Sequence, residues 1–245
     1  MQITLATRST PGRRNEDFAA AGPDWAMVLD GVTARAGAAS GCAHDVRWLV
    51  RTLAAALGRR LTLIEDTALA DLLAAAIAET RDAHADGCDL HNPDTPSSTV
   101  SVVRAAEGHL DYLVLCDSPL LVRHRGGQVR LIADDQLQRL PRGGPPAREL
   151  RNKPGGFWVA STDPAAAYHA VRGSVRLAEL IDAALLTDGV TRLAEWYGYG
   201  WRDILERLAD AGPAALIDLV RAEERADPRP RLKPHDDATA VHLRM

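Results

Sequence analysis

Short apolar runs bounded by turn-forming residues recur at both ends and in the middle of the chain. Runs of this length that are rich in β-branched and aromatic residues predict strands. The predicted strands are MQITLAT, DFAAAG, WAMVLD, SSTVSVVRA, HLDYLVLCD, PLLVRH, QVRLI, FWVAS, AALLTD and ATAVHLRM. The turns AEG and RGG lie between neighbouring runs and indicate hairpins.

Four other segments show the helical period. In HDVRWLVRTLAAALG the apolar residues fall on one face, and DTALADLLAAAIAETRDAH repeats this pattern, with Asp66 as a candidate start residue. Two more amphipathic segments, WRDILERLADA and PAALIDLVRAEERA, lie near the end, and Pro213 suits the first turn of the second. The chain therefore predicts two pairs of helices.

The order of these elements indicates the fold class. Strands are followed by a helix pair, more strands, the second helix pair and a last strand, which is an α+β pattern and not a βαβ alternation. No linker is visible, so residues 1–245 are interpreted as one domain. The polar stretch from Asp134 to Gly156 predicts a long loop, of a length that is usually functional or disordered.

Charge and apolar content restrict the function classes. The chain has 29 basic and 33 acidic residues, for a formal net charge of -4, so it carries no basic excess for nucleic acid or anionic membranes. The N-terminal sequence turns polar too early for a signal peptide, and no apolar run reaches membrane-spanning length. These features predict a soluble, cytoplasmic protein.

Cysteine and histidine patterns point away from thiol and zinc chemistry. The three cysteines, Cys42, Cys88 and Cys116, lack CxxC spacing, which argues against a disulfide framework or a zinc ribbon. They are interpreted as small buried residues. The eight histidines show no HExxH motif, which disfavours zinc.

Acidic residues stand repeatedly where an apolar run begins or ends. The word DGVT follows two such runs, with Asp30 and Gly31 in the first copy and Asp188 and Gly189 in the second. Asp17, Asp117, Asp236 and Asp237 occupy similar positions. Asp-Gly is also a common turn former, so each aspartate alone has a simple structural explanation. Together they predict carboxylates aimed into one cleft, a ligand set that suits Mg²⁺ or Mn²⁺.

Six blocks in order carry a resemblance to a known family. NED, LDGV, SSTV, LCDSPLLV, LLTDGV and HDDATAV resemble the NNED, ADGMGG, GTT, GDSR, CSDGL and PDNVTV blocks of bacterial metal-dependent protein phosphatases, the type 2C or PPM family. The resemblance covers nearly the whole chain. It implies a four-layer αββα sandwich, in which two antiparallel β-sheets are flanked by helix pairs, and it implies hydrolysis of phosphoserine and phosphothreonine in proteins.

The resemblance also implies a role for each matching residue. Asp30 would bridge two Mn²⁺ or Mg²⁺ ions, with the Gly31 carbonyl on the second ion, and Asp188 and Asp236 would complete the first. Asp17, with Glu16 beside it, would hold metal-bound waters or coordinate directly. Asp117 matches an aspartate that helps bind a third, weaker ion in some members.

The implied chemistry is attack of a metal-activated hydroxide on phosphorus, in line with the leaving seryl or threonyl oxygen. Charge on the phosphoryl oxygens calls for a nearby arginine. Arg13 and Arg14 lie in the matching region one residue closer to the acidic pair than the family pattern, so either one, or a plain basic turn, fits. Arg13 is taken as the phosphate-binding candidate.

Three departures from the family pattern are visible. The double glycine after the first DG is missing, Cys116 and Pro119 replace a glycine and an arginine of the GDSR block, and only Asp163 is a candidate for an additional ligand of the third ion. The segment KPGGFWVASTDPAAA stands where a substrate-side flap is expected. The main metal ligands are unaffected.

Two alternatives stay open. One is a non-catalytic relative that binds a partner or phosphopeptide, although such a relative would have lost one of Asp30, Asp188 and Asp236. The other is a hydrolase of small phosphoesters, which the same site could support. The expected partner is a phosphoprotein substrate, with the enzyme opposing a serine/threonine kinase and with no nucleic acid or membrane involved.

Overall fold

Ten strands form two antiparallel five-stranded sheets in the computed structural model, which describes residues 1–32, 39–84, 87–141, 146–228 and 233–245. The strands are β1 Gln2–Arg8, β2 Phe18–Ala21, β3 Trp25–Leu29, β4 Val100–Ala106, β5 His109–Leu115, β6 Leu120–His124, β7 Val129–Ile132, β8 Val171–Arg176, β9 Leu180–Leu186 and β10 Ala238–Arg244. One sheet has the order β1-β10-β9-β6-β7 and the other β2-β3-β4-β5-β8.

Helices cover the outer face of each sheet. They are α1 Val46–Leu63, α2 Leu69–Asp82, α3 Ala147–Leu150, α4 Asp188–Glu195 and α5 Trp201–Ala226. The apolar faces of α1 and α2 pack on the sheet that contains β3, and those of α4 and α5 pack on the sheet that contains β10. The predicted α+β class and four-layer αββα sandwich are confirmed.

A third apolar layer fills the space between the sheets. Val28, Tyr112 and Val114 from one sheet meet Val122 and Leu185 from the other, and all five side chains are buried. Alternation along each strand sends the neighbouring side chains outward to the helices. This packing fixes the two sheets face to face and thereby fixes the strand ends that carry the acidic residues.

Most predicted elements are present, and their ends follow local chemistry. The Asp45 side chain caps α1 by accepting a hydrogen bond from the Trp48 N–H at 2.7 Å. Residues Glu107 and Gly108, both with positive φ, close the predicted β4–β5 hairpin. In α5, a positive φ of 81° at Gly212 separates two helical halves just before Pro213, where two helices were predicted.

Two predictions of local structure are wrong, and two elements were missed. FWVAS forms only isolated bridges, because Phe157 and Val159 pack into a small cluster with Cys116 beside the sheet and not within it. Helix α2 starts after Ala68 without a side-chain cap, so Asp66 is not its cap. Strand β8 and helix α4 were not predicted: β8 is a largely exposed edge strand with no apolar alternation, and α4 begins within the second DGVT.

Among the described residues, no helix is both long enough and apolar enough to cross a membrane.

Candidate active site

The acidic residues converge at one end of the sandwich because of how the strands pair. In an antiparallel pair, the end of one strand lies beside the start of its neighbour. The end of β9 therefore lies beside the start of β10, and the end of β3 lies beside the start of β2. Asp30, Asp117, Asp188 and Asp236 all line a cleft of about 1120 Å³ at this end.

Asp30 and Gly31 leave β3 along a rigid path. The Asp30 carbonyl accepts hydrogen bonds from the Thr99 N–H and the Ser98 hydroxyl, both at 2.9 Å. A Cβ atom at Gly31 would lie 2.6 Å from Val46 Cγ1 and 2.7 Å from the Glu16 carbonyl oxygen. Gly31 is therefore needed for close packing at the cleft floor.

The second DGVT has a different conformation from the first. Asp188 and Gly189 are the first residues of α4, and neither Gly31 nor Gly189 has the positive φ of a glycine turn. A Cβ atom at Gly189 would overlap the Asp237 carbonyl oxygen. The turn explanation is thus wrong for both copies: each glycine is required because another part of the chain approaches it closely.

Gly189→Ala should destabilise the protein by at least about 2 kcal/mol, since overpacking against a fixed backbone costs roughly 1–3 kcal/mol and exceeds the gain in helix propensity. Gly126→Ala is the matched control, because a Cβ atom there meets no heavy atom within 4 Å. Urea denaturation of both variants tests this. Equal midpoints for the two variants would show that the contact at Gly189 is not restrictive.

Asp236 is held in the cleft by cations. Its carboxylate pairs with Lys233 and with the Arg192 guanidinium, the latter at 3.3 Å. Burial alone would lower the pKa of Lys233, but its contacts with Asp236 outweigh burial and raise that pKa. Lys233 also lines the cleft. Sequence reasoning missed this lysine because nothing in its flanking PRPRLKPH segment marks it as a site residue.

A buried ionic network stands behind Asp236. Glu224, only 4% exposed, accepts hydrogen bonds from Arg192 at 2.6 Å, from Arg221 at 2.8 Å and from His235 at 2.7 Å. Burial acts to raise the pKa of Glu224, but the His235 and Arg221 contacts outweigh it and lower that pKa. The network fixes the Arg192 side chain that reaches Asp236.

The segment between β5 and β6 brings Asp117 into the cleft. Burial raises the pKa of Asp117, with Asp134 adding to the effect. Cys116 has a φ of 68°, in the left-handed region where the resembled family has its glycine. The backbone thus keeps the glycine conformation although the residue has changed, at a cost of about 1–2 kcal/mol.

Asp17 and Glu16 occupy different places. Glu16 lines the cleft. Asp17 is buried behind the lining residues, where its Oδ2 accepts hydrogen bonds from the hydroxyls of Thr187 at 2.9 Å and Thr239 at 2.7 Å. Asp237 also has a backbone partner, since its carboxylate accepts a hydrogen bond from the Glu16 N–H at 2.6 Å.

The two candidate arginines are also separated. Arg13 lines the cleft, whereas Arg14 lies in a smaller neighbouring hollow that Arg13 shares. Asp163, the candidate additional ligand, instead caps a short 3₁₀ helix by accepting a hydrogen bond from the Ala165 N–H at 2.9 Å. Arg13 therefore lines the same cleft as the acidic residues, whereas Asp163 serves as a helix cap.

The segment from Asp134 to Gly156 forms part of the cleft wall where it is described. Arg151 is the residue that fixes it: its guanidinium donates to the Thr95 carbonyl at 2.7 Å and to the Ser97 hydroxyl at 3.2 Å. Arg148 also lines the cleft, 3.9 Å from Asp94. Residues 142–145 of the predicted loop lie outside the described residues.

The aspartates at the cleft repel one another. Burial and the neighbouring carboxylates Asp17 and Asp188 raise the pKa of Asp30 well above its ordinary value. Burial and Asp236 raise the pKa of Asp188 to about 7, and burial raises the pKa of Asp17 to about 7. Asp188 Oδ1 is buried without a hydrogen-bond partner in the described part of the chain. Crowded carboxylates with an unused oxygen are a ligand set that fits a hard divalent cation.

The metal-free protein should therefore lose stability as the pH rises from about 4 to just above 7. Asp17 and Asp188 titrate near 3.8 when unfolded and near 7 when folded, so the folded state holds more protons between these values. Stability is greatest below the unfolded pKa and falls as the pH rises through 7, by up to about 1.4 kcal/mol per pH unit for each group. The lowered pKa values of Glu224 and Asp182 act at more acidic pH.

Thermal unfolding in EDTA and in Mn²⁺ across this pH range measures the effect. The midpoint in EDTA should fall with pH, and Mn²⁺ should restore most of the loss at pH 8. Asp188→Asn should flatten the EDTA curve. An EDTA midpoint that is constant or rises with pH would contradict the expectation.

Comparisons with known proteins identify the family of the chain and relatives of its fold. A family model described as protein phosphatase 2C matches residues 7–221. The serine/threonine phosphatase PstP/Ppp of Mycobacterium tuberculosis is 17% identical with a TM-score of 0.67, and the match covers 100% of this chain and 98% of that one. The serine/threonine phosphatase Stp1 of Staphylococcus aureus is 16% identical with a TM-score of 0.63, covering 100% and 94%.

A further structure holds metal. The catalytic domain of the phosphatase PstP in complex with two manganese ions is 18% identical, with a TM-score of 0.63 and coverage of 99% and 97%. At these identities the structural likeness establishes the fold. A comparison with curated proteins finds no match in sequence.

Proposed function

Since the chain belongs to the protein phosphatase 2C family and is a protein serine/threonine phosphatase, we propose that it hydrolyses phosphoserine and phosphothreonine at a binuclear Mn²⁺ or Mg²⁺ centre in the acidic cleft. The observation that carries this proposal is the convergence of Asp30, Asp188 and Asp236 from three strand ends on one cleft.

The metal ligands are proposed as follows. Asp30 would contribute to holding both ions, the Gly31 carbonyl would bind one of them, and Asp188 and Asp236 would hold the other. Asp117 is the candidate for a third ion. Asp188 Oδ1, buried without a partner among the described residues, supports a cation at this place, and the related PstP domain carries two manganese ions. Bound ions of this kind acidify water and neutralise charge on a phosphoryl group.

Other residues of the chain position these groups and the substrate. Lys233 and Arg192 hold the Asp236 carboxylate in place while it faces the cleft. Arg13 is proposed to bind the phosphoryl oxygens, because it is the member of the arginine pair that lines the cleft. Glu16 lines the cleft and is proposed to orient water. Asp17 is proposed to hold a metal-bound water or to coordinate directly, because its Oδ1 is buried without a partner among the described residues while its Oδ2 accepts hydrogen bonds from Thr187 and Thr239.

The cleft favours a protein substrate over a small phosphoester. Its volume of about 1120 Å³ exceeds what a phosphate monoester fills, and Arg13 and Arg148 place positive charge on its walls. We therefore propose that the enzyme acts on a phosphoprotein substrate and opposes a serine/threonine kinase in the cytoplasm. The non-catalytic alternative is less well supported, because all three main metal ligands are present.

Hydrolysis of a phosphothreonine peptide and of para-nitrophenyl phosphate, each with Mn²⁺, Mg²⁺ or EDTA, tests the proposal. Turnover should require the metal, and kcat/KM should be higher for the peptide. A higher kcat/KM for the small ester would favour the phosphoesterase alternative. A folded protein without turnover in either metal would overturn the catalytic proposal and favour a binding module.

A further inference from the structure

Two cysteines and two histidines meet at the rim of the cleft, outside the acidic centre. Cys42 and His44 precede α1, and His84 and Cys88 follow α2. The Cys42 and Cys88 sulfurs lie 3.3 Å apart, and His44 Nδ1 lies 3.7 Å from the first sulfur and 3.6 Å from the second. The interpretation of Cys42 and Cys88 as buried residues is wrong, because both are partly exposed; Cys116 is buried.

His84 points an unused nitrogen into this cluster. Its ring is 2% exposed, and its Nδ1–H donates to the Thr80 carbonyl at 2.9 Å. This bond leaves a lone pair on Nε2, which is buried without a hydrogen-bond partner among the described residues. Ligand atoms of Cys42, His44 and His84 all lie within 4.8 Å of one another. An imidazole fixed by a backbone carbonyl on one nitrogen is typical of a metal ligand.

Backbone N–H groups are directed at both sulfurs. The His44 N–H donates to Cys42 Sγ and the Ala43 N–H donates to Cys88 Sγ, each at 3.4 Å. Such donors stabilise negative charge on sulfur, and thiolates are the form in which cysteines bind metals. Burial raises the pKa of the Cys42 thiol, so a metal ion would displace its proton on binding. The cluster therefore contains two sulfurs that face backbone donors and two imidazole rings.

We propose that Cys42, His44, His84 and Cys88 bind one Zn²⁺ ion as a structural, four-ligand site. Zinc–sulfur bonds of about 2.3 Å and zinc–nitrogen bonds of about 2.0 Å in a tetrahedron separate two sulfurs by about 3.8 Å and sulfur from nitrogen by about 3.5 Å. The sulfur–sulfur distance of 3.3 Å and the two distances from His44 Nδ1 to the sulfurs, 3.7 Å and 3.6 Å, are within about 0.5 Å of these values. His84 lies within 4.8 Å of the ligand atoms of Cys42 and His44, so its ring would move towards the ion on binding. Soft sulfur ligands select zinc over Mn²⁺ or Mg²⁺, so this site and the acidic centre prefer different ions.

The site would join two loops that form one wall of the cleft. Cys42 and His44 line the cleft directly. Their loop is already paired with the loop after α2, since the Asp89 N–H donates to the Gly41 carbonyl at 2.7 Å and the Asn92 side chain donates to the Ala39 carbonyl at 3.1 Å. These hydrogen bonds hold the two loops together before a metal ion binds, so metal binding requires little further ordering of the ligands.

Cobalt substitution of the full chain tests the site without reference to activity. Purified, reduced protein without an added histidine tag is loaded with Co²⁺ in excess Mg²⁺, which occupies the carboxylate centre. The expected result is a sulfur-to-cobalt charge-transfer band together with the intense visible bands of tetrahedral Co²⁺, both displaced by about one equivalent of Zn²⁺. Carboxylate ligands cannot produce the charge-transfer band.

Variants assign the band to its ligands. The double variant Cys42→Ser/Cys88→Ser should abolish it, and each single variant should lower its intensity to about half or less and weaken zinc binding at least about 100-fold, since even losing a group that only orients a ligand costs roughly 10–100-fold. Cys116→Ser, which alters the cysteine outside the cluster, should keep the band. Near-ultraviolet circular dichroism confirms that each variant is folded. Absence of the band, its persistence in the double variant, or a Cys42–Cys88 disulfide in the reduced protein would overturn the proposal.

Discussion

Asp30→Asn should lower kcat/KM for a phosphothreonine peptide in Mn²⁺ by about a thousandfold, equivalent to about 4 kcal/mol of transition-state stabilisation. An asparagine offers one neutral oxygen where the proposed bridging ligand offers two charged ones. It also removes a carboxyl group whose ionised form is disfavoured in the folded protein, because burial and the neighbouring Asp17 and Asp188 raise the pKa of Asp30 well above its ordinary value. The folded variant should therefore be at least as stable as the unchanged protein. Loss of activity with unchanged stability is the informative combination.

Asp163→Asn is the matched control for this substitution. Asp163 caps a 3₁₀ helix through the Ala165 N–H, and asparagine caps as well as aspartate does. Its activity and Mn²⁺ dependence should stay near those of the unchanged protein. Measuring kcat/KM across a Mn²⁺ titration separates weakened metal binding from loss of chemistry. Full activity of Asp30→Asn with an unchanged Mn²⁺ dependence would exclude Asp30 as a metal ligand.

Glu224→Ala should lower the free energy of unfolding by about 3–5 kcal/mol, the cost of removing one partner from a buried ion pair. Arg192 and Arg221 are 2% and 6% exposed, and the alanine would leave both charges without this carboxylate. Arg192 also reaches Asp236, so the surviving folded protein should bind Mn²⁺ more weakly. Urea denaturation and a Mn²⁺ titration measure the two effects.

Glu223→Ala controls for loss of a glutamate at the next position. Glu223 accepts a hydrogen bond from the Tyr199 hydroxyl at 2.6 Å on a more exposed face, so its loss should cost about 1 kcal/mol or less. Glu224→Gln, which keeps the shape without the charge, should fall between the two. Similar stability for Glu223→Ala and Glu224→Ala would mean that the buried network contributes little.

The fold was largely predictable because most elements bury a regular apolar face. Helices α1 and α2 show this periodicity clearly, and strands β3 to β6 are mostly continuous buried runs of the length typical of strands. The exceptions have physical reasons: β8 joins its sheet through backbone pairing at an exposed edge, and FWVAS is apolar because it packs beside the sheet. Periodicity reports which side chains are buried, and it does not report which backbone groups are paired.

The site was predictable to the extent that its residues stand at strand ends. Asp30, Asp117, Asp188 and Asp236 were selected in this way, and the structure brings these four to one cleft. Arg192, which pairs with Asp236, and Glu224, which pairs with Arg192, were missed because only the folded chain brings them together. Lys233 is three residues before Asp236 and was missed because nothing in its segment marks it as a site residue.

The cysteine–histidine cluster was missed for a related reason. Its ligands lie in two short segments, C-x-H before α1 and H-x₃-C after α2, which are separated in sequence by the whole helical hairpin. Neither half matches a known zinc spacing, and only the packing of the two helices brings the halves together.

The position of β10 between β1 and β9 determines when the acidic cleft can form during synthesis. In its sheet, β1 pairs with β10 alone. It therefore has no strand to pair with in that sheet until nearly all of the intervening chain has left the ribosome. Asp236 arrives with that same late strand. The ion-binding centre is therefore completed only after Asp236 and β10 have been synthesised, and a ribosome-bound chain that lacks them can hold neither β1 in its sheet nor a complete set of metal ligands.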